Sequence, residues 1–435
     1  MASTTLKRTF TTDHGNVYKW TYSFWVKRCS LGSNQCMIGV RHSGDYTAQI
    51  KFTTNDQLEV HDYRTSYKLQ KVTNRRFRDT TSWYHIVVSN DNSVSSPDTK
   101  IYVNGVEETS FATDNEYSQN DKNSFNDDYP NYIGEKGTGD QFDGYISHLH
   151  FIDGTAYAAS TFGSTDATTG EWKINTDPSV TYGTNGFLIL KDGNTITDQS
   201  PNSNDFTLDS GTLTKSEDNP SNVFATLNSL DRNTNVVLQN GNNTSYSSAN
   251  NTWSSAIKGT LGIASGKFYW EMKITGSGTA NGLFFGVCAD TVTLITNQGI
   301  QDNATEKAKG VLVFCDDGQY QLDTNSRTSM TSAPAFNDIL GCAVDRDNNT
   351  VKFYKNGSEV GSIDISSSPL ATCSNIMPLM INYYTDTKFN FNFGNGCFGS
   401  TQLTGTTYQA DGNLGIFKYQ PPSGFTALCT KGLNL

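Results

Sequence analysis

Nowhere in the 435-residue chain does an apolar run approach the ~20 residues that a membrane-crossing helix needs. The opening segment, MASTTLKRTFTTDHGNVYKW, also lacks the uninterrupted apolar centre of a secretory signal. No membrane insertion is therefore expected, and the chain reads as made and folded in a cytoplasm. Charge is sparse: charged residues are 17% of the chain and the formal net charge is -11, which argues against a nucleic-acid partner. The eight cysteines, Cys29, Cys36, Cys288, Cys315, Cys342, Cys373, Cys397 and Cys429, form no C-x-x-C pair and no zinc spacing. They read as reduced thiols, several of them small hydrophobes inside strand-like runs, with a Cys29–Cys36 disulfide only under oxidising conditions. The G-x-S-x-G elbow, H-E-x-x-H and the phosphate-binding G-x-x-x-x-G-K-S/T are absent. That removes the sequence grounds for a serine hydrolase, a zinc protease or a nucleotide hydrolase. Helical periodicity is hard to find as well.

What the chain does hold is aromatic residues and turns. With 24 Phe, 21 Tyr and 6 Trp set among Ser, Thr, Asn and Gly, it reads as all-β and turn-rich, not disordered. Runs such as YSFWVKR, WYHIVVS, TKIYVNG and GYISHLHFID fill the first half, and GKFYWEMKITG, GLFFGVCAD, DILGCAVDRDNNTVKFYKNG and KFNFNFG the second. One piece occurs twice. KIYVNGVEETSF (100–111) and KFYKNGSEVGSI (352–363) share Lys, Tyr, Asn, Gly, Glu and Ser in the same columns. Each centres on Asn-Gly, which tolerates the positive φ of a two-residue type I′ hairpin turn. The copies lie too far apart for a stacked repeat of ~20–50 residues, so two similar domains are expected. The predicted layout is two antiparallel β-sandwich domains, 1–160 and 224–398. Between them stands an irregular connector, 161–223, with a closing strand at 187–190, and after them an extended tail, 399–435, that docks on a neighbour.

Several residues offer chemistry. HDYRTSYKLQKVTNRRFR (61–78) sets Tyr63, Arg64, Tyr67, Lys68, Lys71, Arg75, Arg76 and Arg78 beside a single acid, Asp62. A basic, aromatic patch of this kind suits an anionic polysaccharide, a lipopolysaccharide phosphate or an acidic subunit; the plain alternative is a solvated hairpin. Trp253, in the polar loop ANNTWSSA near Tyr246, is placed for ligand contact, whereas Trp25, Trp83 and Trp270 lie in apolar runs and are expected in cores. The acidic stretch 114–129 offers Asp114, Glu116, Asp121, Asp127 and Asp128 to calcium, but it lacks the calcium-loop pattern, so a solvated loop and no cofactor are expected. His148 and His150, alternating on a strand, would share one face, read as polar and solvated for want of a third metal ligand nearby.

Family resemblances follow from these pieces. SFWVKR, DTTSWYHIVVSNDN, KIYVNGVE and YIGEKGTGDQFDGYISHLHFIDG resemble the laminin-G-like, concanavalin-type lectin sandwich over roughly 5–160. SGKFYWEMKI, FFGVCAD, DILGCAVDRDNNTVKFYKNGSEVGSI, IMPLM and FNFNFG resemble the SPRY domain over roughly 224–398. Both resemblances imply concanavalin-like (jelly-roll) sandwiches, which makes the repeated hairpin one piece of shared architecture. Glucanases of the first kind carry paired carboxylates as E-x-D-x-x-E, and no E-x-D spacing occurs here, so a binding protein is expected rather than a polysaccharide depolymerase. FGSTDATTGEW, YGTNGFLIL, DQSPNSNDFTL, DNPSNVFATLN and PPSGFTALCT resemble virion proteins of marine bacteriophages over nearly the whole length. That implies a virion structural protein in a tail fibre, capsid decoration or other appendage. It would be a homo-oligomer, joined to other virion proteins and adhering to a host cell-surface glycan. The alternative left open is a connector or cement protein that binds virion partners alone.

Overall fold

The computed structural model describes residues 4–10, 17–42, 46–191, 193, 195–250, 255–277, 282–295, 300 and 303–434. It is nearly all β, and the chain parts into two compact units, Met1–Thr214 and Lys215–Leu435.

In the first unit the strands run β1 (Thr5–Thr9), β2 (Lys19–Arg28), β3 (Gln35–Arg41), β4 (Thr47–Phe52), β5 (Gln57–Arg64), β6 (Ser66–Arg76), β7 (Tyr84–Asp91), β8 (Lys100–Val103), β9 (Val106–Glu107), β10 (Phe111–Asn115), β11 (Pro130–Ile133), β12 (Gly144–Asp153), β13 (Gly163–Thr165), β14 (Trp172–Ile174), β15 (Phe187–Ile189) and β16 (Thr207–Ser210). Among the described residues they form an eight-stranded sheet, β10-β6-β5-β4-β3-β11-β1-β16, and a six-stranded sheet, β15-β12-β2-β7-β8-β9. Strand β2 shows how alternation builds the sandwich. Trp20, Tyr22, Phe24 and Val26 enter the core beside Ile38, Ile50, Val60, Ile86 and Leu149. Thr21, Ser23, Trp25 and Lys27 take the opposite face, and they are buried too.

A sheet buried on both faces needs a cover, and segment 155–182 supplies it. Ala159, Phe162, Trp172, Val180 and Tyr182 pack on Val87 and Ile152 of the six-stranded sheet. Most of the stretch read as a connector therefore belongs to the first unit. β13 and β14 pair within the cover, β15 edges the six-stranded sheet with Ile189 opposite Leu149, and β16 edges the larger sheet beside β1. The Gly- and Thr-rich composition concealed this because the anchors are single aromatic residues, spaced too widely to read as apolar runs. Trp25 and Trp83 are buried outside the sandwich core, Trp25 stacked on His85 and Trp83 beside Tyr145.

The second unit pairs a seven-stranded with an eight-stranded sheet among the described residues. Lys267–Gly276 lies between Ile339–Asp345 and Thr387–Asn392 and sends Phe268, Trp270, Met272 and Ile274 into a core with Phe285, Val313, Phe353 and Phe391. The tail expected to dock on a neighbour folds back on its own domain instead. Thr426–Ala427 pairs in parallel with Phe268 and Tyr269, while Phe417 and Phe425 pack with Tyr269, Ala343 and Tyr354. Those three apolar side chains belong to a second cluster, apart from the sandwich core, and exposing them to water would be costly.

Both Asn-Gly hairpins take the expected form. Asn104 and Gly105 have φ of 48° and 81°, Asn356 and Gly357 of 50° and 82°. The likeness extends to the side chains: Asn104 Oδ1 accepts the His85 N–H at 2.8 Å and Asn356 Oδ1 accepts the Ile339 N–H at 2.9 Å. A ring from later in the chain seals each glycine, since an added Cβ would lie 2.3 Å from Trp172 at Gly105 and 2.6 Å from Tyr419 at Gly357. All eight cysteines are free thiols, Cys29 and Cys36 included.

Candidate binding face on the first domain

The basic hairpin and the acidic stretch, separate candidates in the sequence, are neighbours in the fold. β10 pairs with β6, setting Asp114 opposite Lys71 and Asn115 opposite Gln70. Lys71 is buried, and its Nζ lies 2.5 Å from Glu116, 3.1 Å from Asp114 and 3.7 Å from Asp98, with the Phe111 ring beneath it. Burial pushes the Lys71 pKa down, but the hydrogen bonds and charges of Glu116 and Asp114 together outweigh it and raise the pKa. Arg64 bridges Asp62 and Asp127 at 3.6 Å each, Lys68 lies 3.9 Å from Asp121, Arg75 2.6 Å from Glu108 and Arg78 3.2 Å from Asp56. Most of the patch's positive charge is thus matched at home, and the acidic oxygens of Asp114, Glu116, Asp121 and Asp127 are taken by the same partners. This corrects the picture of a free cationic cradle beside a solvated acidic loop. Tyr63, Tyr67 and Arg76 remain at the surface, Arg76 exposed at the end of β6.

The surface these tyrosines belong to is a grid. Register places Thr47, Tyr63 and Tyr67 in one row across β4, β5 and β6, Gln49, His61 and Gln70 in the next, and Lys51, Glu59 and Val72 in the third. Ile50, Leu58, Val60 and Leu69, on the alternate positions, fill the core. Lys68 is the extra residue where the register slips, which lets Tyr67 stand opposite Tyr63. Tyr67 is 47% exposed and meets the rings of Tyr63 and His61 edge-on, at 5.1 and 5.7 Å between centroids. Glu59 receives hydrogen bonds from His61 Nδ1 at 3.0 Å and Gln70 Nε2 at 3.1 Å, with Lys51 Nζ at 3.4 Å. Burial pushes the Glu59 carboxyl up, but the bond and charge of His61, together with Lys51 and Gln70, hold it down at about 2. Gln49 Oε1 is buried and has no hydrogen-bond partner among the described residues.

This face offers the Tyr67 ring for C–H stacking beside the part-exposed Gln70 amide, above a buried layer of Gln49, Glu59 and His61. Glu59 is the one carboxylate among the nine, whereas glycoside hydrolysis of the common kind needs two. Sequence reading named Tyr63 and Tyr67 but missed Gln49, Lys51, Glu59, His61 and Gln70. The signal was there as polar residues at every second position of TAQIKF and QLEVHDY, two runs joined by a short turn, whereas in YKLQKV the extra residue Lys68 breaks the alternation.

The remaining candidates are placed as follows. Trp253 lies outside the described residues; Tyr246 carries Lys388 over its ring at 5.1 Å. His148 and His150 do not alternate on one face, because an extra residue interrupts β12 between Ser147 and His150 and puts His148 at φ 48°. His150 is buried against Tyr182 instead of facing solvent. Among the described residues no group of three or more His, Cys, Asp or Glu side chains is arranged to hold a metal ion.

Comparison with known proteins matches residues 6–160 to the concanavalin A-like lectin/glucanases superfamily, through its laminin-G family model, and residues 267–395 to the SPRY domain. No curated protein matches the chain. Among solved structures, stonustoxin is similar at 16% identity over 39% of this chain and 27% of its own, with a TM-score of 0.31. The SPRY domain of human HERC1 aligns at 18% identity over 38% of this chain and 96% of its own (TM-score 0.30), and the TRIM65 PSpry domain at 10% over 38% and 87% (TM-score 0.30). The chain therefore joins a laminin-G-like domain of the concanavalin A-like lectin/glucanases superfamily to a SPRY domain.

Proposed function

We propose that the protein is a non-catalytic attachment protein of a virus particle, whose first domain holds a host-surface glycan on the Gln49–His61–Tyr67 face and whose second domain joins other virion proteins. The observation that carries this reading is the half-exposed Tyr67 ring standing over a sheet face whose carboxylate, Glu59, is already hydrogen-bonded and charge-balanced. Such a face suits a neutral sugar, its C–H side on the ring and its hydroxyls toward the part-exposed Gln70 amide. The pairing of the hairpin's cations with carboxylates argues against the anionic polysaccharide expected from sequence. Lectin-like and SPRY domains generally bind glycans or proteins, which supports the division of labour. Many copies on one particle would multiply a weak single contact.

Binding of the purified chain to host cells, to neutral cell-wall polysaccharide and to empty particles tests the reading. Tyr67→Ala is expected to weaken polysaccharide binding about tenfold, equivalent to ~1.4 kcal/mol, while Arg76→Ala changes it less than about twofold. Equal binding by Tyr67→Ala would refute the assigned face. Binding to particles alone would favour the connector reading, and release of soluble sugar would end the non-catalytic one.

A further inference from the structure

The cover over the six-stranded sheet is held by two buried histidines, and one of them has its protonation state dictated by its partner. His85 on β7 receives a hydrogen bond at Nδ1 from the Trp172 indole Nε1–H, 3.0 Å away, and its Nε2 lies 2.9 Å from Ser23 Oγ. An indole N–H only donates, so Nδ1 must carry a lone pair and the neutral ring must bear its proton on Nε2. On β12, His150 Nδ1 meets the Tyr182 hydroxyl of the same cover at 2.9 Å. Thr21 secures its start, accepting from the Tyr157 N–H and donating to the Thr155 carbonyl, both at 2.8 Å. Trp172 also fills the slot made by Gly105 and Gly163, where any Cβ would strike its ring. Cover and sheet thus meet through three outward-facing polar side chains, a small apolar cluster and, at the end of the cover, the Asp153 N–H donating to the Tyr182 carbonyl at 2.9 Å.

We propose that segment 155–182 is an acid-released cover: a proton taken up at His85 Nδ1 sets N–H against N–H, breaks the bond to Trp172 and frees the segment from the outer face of the six-stranded sheet. The surroundings reinforce this. The charged groups acting on the two rings are His148, Lys191 and, on His150, His85 itself, all basic. From the cover come the Tyr182 hydroxyl, itself under Asp177 and Asp198, and Lys173, closed on Asp166 at 2.6 Å within the hairpin. Burial first, then the neighbouring basic groups, hold both histidines down at about 3. A released ring takes a proton near pH 6.5. The hold is therefore complete above that pH and is lost as pH falls from there toward 3, each ring shifting the release equilibrium about tenfold per pH unit. Release would uncover Val87 and Ile152 of the sheet.

Fluorine NMR of the full chain labelled with fluorotryptophan, from about pH 7.5 to about pH 4.5, tests the device, with circular dichroism in parallel. Trp172→Phe assigns the relevant resonance. The expected result is movement of that resonance to a solvent-exposed position below about pH 6.5 while the β signal persists. His85→Gln keeps an acceptor oxygen for Trp172 and a donor for Ser23 without titrating, and should lower the midpoint by about one pH unit or more. A resonance that stays in place at the acid limit, that moves only with global unfolding, or that moves at the same pH in His85→Gln would overturn the proposal. The wild-type titration decides the matter even if the variant does not fold.

Discussion

Glu271 gives the sharpest test of the packing described for the second domain. Its side chain is fully buried on the outer face of Lys267–Gly276 and accepts from four donors. Oε2 receives the Lys418 N–H at 2.9 Å and Asn392 Nδ2 at 3.2 Å; Oε1 receives the Tyr419 N–H at 2.8 Å and the Tyr269 hydroxyl at 3.4 Å. Burial outweighs these donors and pushes the carboxyl from 4.5 up to about 7. The folded state therefore binds the proton more tightly than the unfolded one. The contribution of this group is greatest below pH 4.5 and is lost as pH rises toward 7, at about 1.4 kcal/mol per unit and about 3 kcal/mol across the window. The protonated acid keeps a lone pair on each oxygen, so both tail amides stay paired. Glutamine does not: its NH2 group would confront two of the donors, leaving them unsatisfied at about 1–3 kcal/mol. Glu271→Gln should thus be about 2 kcal/mol less stable than wild type near pH 5, and the deficit should close or reverse near pH 8. Urea unfolding of both full-length proteins at the two pH values measures this, since the first domain contributes equally to each. A deficit that is the same at both values would refute the account of Glu271 as a group raised by burial and holding the tail.

Other outcomes follow from single contacts. Lys71→Met keeps the aliphatic stem but leaves Asp98, Asp114 and Glu116 facing one another; because two of these are half-exposed, a loss of about 2 kcal/mol is expected, read as a lower thermal midpoint that recovers partly in high salt. Gly105→Ala and Gly357→Ala combine a left-handed backbone with a clash against Trp172 or Tyr419. Each should cost at least about 2 kcal/mol in chemical unfolding, whereas exposed Gly139→Ala, also at positive φ but with open space around it, should cost only about 1.

Much of the fold was legible because its signals are local. The alternation of Trp20, Tyr22, Phe24 and Val26, and of Phe268, Trp270, Met272 and Ile274, marks strands with one face in a core. Asn104-Gly105 and Asn356-Gly357 declare their turns because few residues other than Asn and Gly accept positive φ readily. The tyrosines of the candidate face were visible for the same reason, as aromatics in a polar hairpin. The cover and the tail were not, since Phe162 and Trp172 are isolated in polar sequence and Phe417 and Phe425 sit in short runs broken by Gly and Pro, so that all four gain meaning only from the sheet beneath them.

Composition, strand period and turn chemistry, all properties of a few consecutive residues, therefore determined the two sandwiches and their shared hairpin. Which charges meet, which outward faces are covered and which polar side chains line up was decided by pairing between distant segments. Lys71 looks like a binding residue until β10 lies beside it, and His150 like a solvent-facing one until Tyr182 closes over it. Charge pairing and desolvation act through space, so their outcome is set by the neighbours the fold brings together and not by neighbours in the chain.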